Sequence, residues 1–228
     1  SDLFVNIISH IEYFSNYTAN KIENDVHGDI NNNELEKIAK IITNSNNYFS
    51  QTKSEYLVWT LFDFVTPDGT VIVTSQEGII TEKIKVTKSD RSWMSLAKNK
   101  PWRSIFSKSD IGIISKTRII PYGYGVTNVN QEFIGIITTG INLEKLAKRF
   151  DGNIHYKNIK YILFDADFDP IISSDEIKNL DKKQKQRIIK QINDPQHGSF
   201  IYKNIRYSKI TKIRKYPFHL AIGYDIDL

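Results

Sequence analysis

No cysteine occurs among the 228 residues. Disulfide frameworks, thiolate zinc sites and cysteine nucleophiles are thereby excluded. The absence suits an oxidising space, where a stray thiol is a liability, without fixing the compartment. Methionine occurs once, while Ile, Asn, Lys and Tyr are abundant; this reads as a base-composition bias and carries no function. No apolar run approaches the ~18–20 residues that span a bilayer, so no membrane-crossing segment is expected within these residues. No initiator Met and no secretory pattern stand at Ser1, and the chain is expected to be an excised piece of something longer. No charge of one sign dominates. Lys and Arg number 31 against 26 Asp and Glu, a net +5. Nucleic-acid binders concentrate their cations on one face, and the one dense patch here, Lys182 to Arg187, reads as the solvated side of a helix. No nucleic-acid partner is expected, although the charge would suit a surface near anionic headgroups.

Catalytic and metal-binding patterns are lacking too. His10, His27, His155, His197 and His219 have no pairwise ligand spacing. Ser95-Leu96-Ala97-Lys98 matches Ser-x-x-Lys but has no partner motifs. No Gly-rich loop follows a strand, and no Ser, His and Asp set can be proposed. Asp165, Asp167 and Asp169 with Glu176 imitate a calcium loop, yet Pro170 stands where that loop needs Gly. They are read as a turn-forming cluster. No enzyme activity, cofactor or metal is expected.

What is present is a set of periodic segments. Phe4, Ile7, Ile8, Ile11, Phe14, Thr18 and Ile22 form one helical stripe from Asp2 to about Asp25, ~35 Å long at ~1.5 Å per residue. Such a stripe serves either packing on its own domain or a dimer seam. A second helix is expected from Asn33, its N-cap, with Glu36 completing a capping box, and ends in the polar stretch 44–47. From Tyr56 the period changes to two. Tyr56 to Val65 and Thr70 to Thr74 read as strands about the turn Pro67-Asp68-Gly69. Asp90 to Asn99 is a short helix, Ile111 to Ile120 a strand, Tyr122 to Gly125 a loop, Phe133 to Ile141 a strand, and Leu143 to about Arg149 a helix. A second unit has strands at Tyr161 to Ala166 and Ile171 to Ser173, and a Ser174-capped helix from Asp175 to about Ile192. Strands at Ser199 to Tyr202, Arg206 to Ile213 and Phe218 to Tyr224 complete it. The class is α+β, with antiparallel sheets covered by helices.

The order of four motifs resembles the double Cache (PDC) sensor domains, the extracytoplasmic modules of bacterial membrane receptors. They are the long helix leading to Phe62-Asp63-Phe64-Val65-Thr66-Pro67-Asp68-Gly69-Thr70; Asp90-Arg91-Ser92-Trp93-Met94-Ser95-Leu96-Ala97; Ser115 to Pro121 with Phe133 to Ile137 and Ile141-Asn142-Leu143; and Tyr216 to Tyr224. The match runs over nearly the whole chain. The resemblance implies a helical stalk at 1–50, a membrane-distal PAS-like module at 51–150 and a membrane-proximal one at 151–228, each with a five-stranded sheet. It implies flanking transmembrane helices in the full-length protein, a periplasmic location and a small-molecule ligand. It also implies an output such as a histidine kinase, a diguanylate cyclase or a chemoreceptor signalling domain. A parallel homodimer through the first helix is expected.

In the amino-acid-binding branch, residues like Arg91 and Trp93 hold the carboxylate, and an Asp at the end of the last distal strand takes the amine. Here Met94 follows the Trp, and Gly140 stands where that Asp would. The resemblance therefore favours a small carboxylate. Carboxylate-binding relatives use cations on the middle strand, as Lys116 and Arg118 would be, facing small or hydroxyl residues such as Thr138 and Gly140. Tyr122 and Tyr124 read either as a loop closing over the ligand or as an ordinary hairpin loop. Arg91 with Trp93 reads otherwise as a surface cation and a core ring, and Lys116 with Arg118 as a solvated strand edge. The alternative function is a non-catalytic protein-interaction or dimerisation module without a small-molecule ligand.

Overall fold

The computed structural model describes residues 2–28, 30–52, 57–86, 92–154, 158–175, 177, 180–192 and 199–226. The chain divides into a larger unit, Asn6–Asn142, and a smaller one, Ser1–Val5 with Leu143–Leu228. The helix α1 (Asp2–Asp25) has the predicted span. Phe4, Ile7, Ile8, Ile11, Phe14, Thr18 and Ile22 are all fully buried, because steps of three and four residues place them on one face. The second helix, α2 (Asn32–Thr52), runs past the expected stop at 44–47. Asn31, not Asn33, is its cap: Oδ1 accepts from the backbone N–H of Asn33 and Glu34 at 3.0 and 3.1 Å. The polar residues 44–47 continue the helix because Phe49, one turn beyond, is buried against Phe14 with ring centroids 5.3 Å apart.

The sheet of the larger unit is antiparallel and has seven strands rather than the five that the resemblance implies. The strands are β1 (Asp63–Val65), β2 (Thr70–Thr74), β3 (Gly78–Lys85), β4 (Ser104–Phe106), β5 (Asp110–Ile111), β6 (Arg118–Thr127) and β7 (Phe133–Asn142). They lie in the order β3-β2-β1-β7-β6-β4, with β5 also on β6. β1 is shorter than the Tyr56–Val65 strand expected; Trp59 makes only an isolated bridge to Ile141, and Tyr56 lies outside the described residues. The expected strand at 111–120 is divided by a turn in which Lys116 adopts φ 52°. The expected loop at 122–125 is instead the middle of β6, hydrogen-bonded along its length to β7. Alternation of Tyr and Gly is a strand pattern here, with the small residues accommodating a helix. That helix is α3 (Ser92–Asn99), which packs on β6 and β7. A Cβ on Gly123 would lie 2.6 Å from the Trp93 ring, so only glycine allows this approach. On the opposite face, Phe14 of α1 stacks on Phe62 at 3.6 Å between centroids, and Asn16 Nδ2 donates to the Tyr124 hydroxyl at 3.0 Å.

The smaller unit has the five-stranded antiparallel order β10-β11-β12-β8-β9. Its elements are α4 (Leu143–Asn153), β8 (Ile159–Phe164), β9 (Pro170–Ser173), α5 (Lys182–Ile192), β10 (Phe200–Tyr202), β11 (Ile205–Lys212) and β12 (His219–Asp225). Ile162, Phe164, Leu180, Ile188 and Tyr207 form its core. Phe4, Phe150, Tyr161 and Phe218 form an aromatic group of their own, with Phe4 edge-on to Phe218 at 5.3 Å. Ser174 does not cap α5: its hydroxyl accepts from the Tyr161 N–H at 3.0 Å. Asp181 and Gln184 cap the shorter helix reciprocally, at 2.7 and 2.8 Å. Asp165 organises the acidic turn by accepting from the N–H of Asp167 and Asp169, each at 2.9 Å. Glu176 lies outside the described residues.

Candidate ligand cavity

Register decides which side chains meet on the larger sheet. Residues paired across an antiparallel ladder share a face, and neighbours along a strand do not. Gly123 pairs with Thr138, Thr138 with Asp63, and Gly140 with Pro121. The approach of Trp93 to Gly123 places all of these on the α3 side. A cavity of about 50 Å³ lies there. Asp63, Trp93, Pro121, Thr138 and Gly140 line it, with Val71, Val86, Ile113, Ile114 and Ile119 among the apolar remainder. At one end Gly140 lets Ile119 pack directly on the strand, since a Cβ there would lie 2.5 Å from the Ile119 side chain.

Of the predicted site residues, Trp93, Thr138 and Gly140 come together in this cavity. Trp93 is 2% exposed, and its Nε1–H has no hydrogen-bond partner. Thr138 donates to the Tyr122 carbonyl at 2.8 Å. Arg91 lies outside the described residues. Lys116 and Arg118 are exposed and do not line the cavity. The turn at 112–117 carries Lys116 away from the ladder, and Arg118 opens β6 at its exposed end. Tyr122 sits inside β6 rather than in a closing loop. Two-residue alternation puts it on the face of Tyr124, opposite Trp93, where its hydroxyl meets that of Ser104 at 3.2 Å and its ring meets Phe106 at 5.1 Å.

Asp63 is the functional candidate that sequence reasoning missed. It was legible only as one residue of a hairpin motif. The residue is partly exposed, yet its Oδ1 is sealed from water and has no hydrogen-bond partner. Thr74 and Thr138 flank it in the ladder, but Thr138 donates elsewhere and the Thr74 hydroxyl accepts from the Glu77 N–H at 3.0 Å. Burial among the apolar residues of this face pushes the Asp63 carboxyl up to about 7. The available signal was a lone carboxylate inside the apolar run Leu61 to Val65, which must point away from the Phe62–Phe64 face.

An open groove of about 620 Å³ lies between α1 and α2 of the same unit, lined by Tyr17, Lys21, His27, Lys37, Lys40 and Tyr48 among others. Two of its cations are engaged. Lys37 donates to Glu34 and to the Asp25 carbonyl at 3.0 and 3.1 Å, and Lys21 lies over the Tyr17 ring at 4.9 Å. The sheet cavity, by contrast, holds buried polar atoms that lack partners. Such atoms are costly unless something satisfies them, which makes it the better candidate.

No family model and no curated protein sequence matches the chain. Solved structures do. The ligand-binding domain of the Campylobacter jejuni chemoreceptor Tlp3 in complex with L-norvaline is 16% identical, with a TM-score of 0.72 over 99% of this chain and 86% of that one. The sensory domain of the same chemoreceptor with isoleucine bound is 14% identical, with a TM-score of 0.69 over 99% of this chain and 88% of that one. An extracellular ligand-binding receptor from Desulfohalobium retbaense is 12% identical, with a TM-score of 0.66 over 96% of this chain and 37% of that one. At these identities the likeness is one of fold. With its long first helix and two antiparallel sheets, the chain has the α+β fold of these receptor ligand-binding domains, the double Cache fold that its motifs resemble.

Proposed function

We propose that the chain is the extracytoplasmic, non-catalytic sensor domain of a membrane signalling receptor, and that it binds a small molecule in the cavity between α3 and the larger sheet. One observation carries the site: a cavity lined by Trp93, Thr138 and Gly140 also holds a carboxylate oxygen and an indole N–H without partners. The fold shared with the receptor ligand-binding domains supports the function. Among the described residues no helix is long and apolar enough to cross a membrane, which agrees with a domain outside the bilayer. Ligand binding would favour one of two conformations of the larger unit, by no more than the ligand's differential affinity for them. The flanking transmembrane helices and a cytoplasmic kinase, cyclase or chemoreceptor output belong to this proposal. So does a parallel homodimer through α1, supported by Tyr13, which is 61% exposed on that helix.

A thermal-shift screen tests the reading, with a panel of carboxylates, amino acids, amines, sugars and nucleobases. A ligand at a hundred times its Kd adds ~2.7 kcal/mol. For a chain of this size that is roughly 2–4 °C per kcal/mol. A hit lost in Thr138→Val, in a variant that still unfolds cooperatively, would support the cavity as the ligand's place. A sharp transition that no compound moves would favour the protein-interaction alternative.

A further inference from the structure

The net charge of +5 is not shared between the two units. The larger unit holds 14 Lys and Arg against 14 Asp and Glu, whereas the smaller holds 17 against 12. The smaller unit therefore carries the whole excess. The two faces of its sheet differ in kind. Ile162, Phe200, Ile205, Tyr207 and Ala221 turn to the core. Alternation sends their neighbours to the other face. Part of that second face is covered, by Phe150 of α4 stacked on Tyr161 and by Phe4 against Phe218. The part beside the β10–β11 turn is bare. Ile201, Arg206 and Tyr224 stand side by side there, paired in that order across β10, β11 and β12. Ile201 is 59% exposed, and Tyr224 and Ile226 are each 43% exposed. The Ile226 N–H donates to the Asn204 carbonyl at 2.8 Å, which brings Ile226 to the same turn. Lys209 pairs with Ile222 and so shares the face of Tyr224, and Lys203 sits in the turn itself. Lys203, Arg206 and Lys209 are exposed, and none is in an ion pair among the described residues. The one acid on these three strands, Asp225, pairs with Ile205 and belongs to the opposite face.

Exposed apolar side chains interleaved with cations select among partners. A second copy of this chain would set cation against cation, which disfavours the pairing. A bilayer with anionic headgroups suits both components. Its phosphates attract Lys and Arg, and its headgroup–acyl boundary takes up aliphatic side chains. A tyrosine fits that boundary with its ring inward and its hydroxyl in water. We propose that this face of the smaller unit lies on an anionic lipid surface. Ile201, Tyr224 and Ile226 enter the boundary, and Lys203, Arg206 and Lys209 meet the phosphates. This goes beyond the sensor reading and does not involve the cavity, which belongs to the larger unit.

The chain has no cysteine, so one introduced thiol reports on one place. Ile201→Cys, carrying an environment-sensitive fluorophore on the whole 228-residue chain, is mixed with lipid vesicles. One set is phosphatidylcholine alone, and the other is equal parts of phosphatidylcholine and phosphatidylglycerol. Ile79→Cys, exposed on β3 of the larger unit, is the reference. The label at 201 should shift to the blue on the anionic vesicles alone, and added salt should reverse the shift. The label at 79 should not move. Arg206→Gln and Lys209→Gln together should weaken binding about 25-fold, about fivefold for each cation near a charged surface. These side chains are exposed, and a cooperative unfolding curve checks that each variant is folded. No sedimentation with anionic vesicles, equal binding to both kinds, or an equal shift at 79 and 201 would overturn the proposal. So would a blue shift at 201 that needs no lipid and grows with protein concentration, which would mark a contact between copies. None of these outcomes bears on the ligand screen, so the two readings fail separately.

Discussion

Replacing Asp63 by Asn should stabilise the ligand-free protein, and by an amount that depends on pH. The carboxyl is raised from 3.8 to about 7 by burial alone. A pKa raised in the folded state means that the fold binds the proton more tightly than the unfolded chain does. Between pH 4 and 7 the folded state therefore holds more protons, and stability falls as pH rises through this window. Above pH 7 the whole penalty is present; below pH 4 it is absent. A shift of about three units at ~1.4 kcal/mol each gives ~4 kcal/mol. Asp63 retains some exposure, so water screens part of this, and ~2–4 kcal/mol is the expected size. Asn cannot ionise, but it keeps one polar atom in an unsatisfied position, so the gain falls toward the lower end of that range. Urea unfolding of the parent and Asp63→Asn at pH 4, 5, 6, 7 and 8 measures this. The curves should nearly coincide at pH 4 and separate steadily to pH 7. A variant less stable than the parent at pH 8, or a difference that does not change with pH, would show that Asp63 has a partner in the fold and would refute the reasoning.

Other substitutions probe the frame around the cavity. Gly123→Ala puts a methyl group into the Trp93 ring and should cost about 1–3 kcal/mol, with a change in Trp fluorescence reporting the displaced indole. Asn31→Ala removes the cap of α2 and should cost ~1 kcal/mol in chemical denaturation, whereas Asn33→Ala should be nearly silent. Tyr122→Phe loses one buried hydroxyl contact with Ser104 and should cost ~1 kcal/mol without changing ligand affinity, since Tyr122 lies on the other face of the sheet. In the smaller unit, Ile162→Ala opens the core and should cost about 2–5 kcal/mol; if the two units unfold separately, only one of two transitions should move.

Helix α1 was legible because its signal is local. Seven apolar or small residues at steps of three and four can be buried together only on a helix, and all seven are. The strands β2 and β7 were legible for the same kind of reason, as was the turn closed by Gly69 at φ 87°. Helix α2 was cut short because residues 44–47 are polar, whereas a distant contact, Phe49 on Phe14, holds the helix onward. Tyr122 to Gly125 looked like a loop because glycine usually breaks a strand; the close approach of Trp93 to Gly123 explains the glycine there. Lys116 and Arg118 shared a parity, but parity does not say whether the chain turns between a residue and the sheet.

The sequence by itself determined the class, a division into two antiparallel units and the likeness to a double Cache domain, but it gave no sign of β3 or β4. The class, the division and the likeness follow from periodicity and motif order, which are written along the chain. It also brought Trp93, Thr138 and Gly140 forward as site residues. Only the tertiary structure set Asp63 beside them on the cavity wall. β1 is three residues long and lies between β2 and β7, so its partners, Thr74 and Thr138, are 11 and 75 positions away in the chain. Whether a carboxylate meets water, a cation or an apolar wall depends on that register, and no local pattern specifies it.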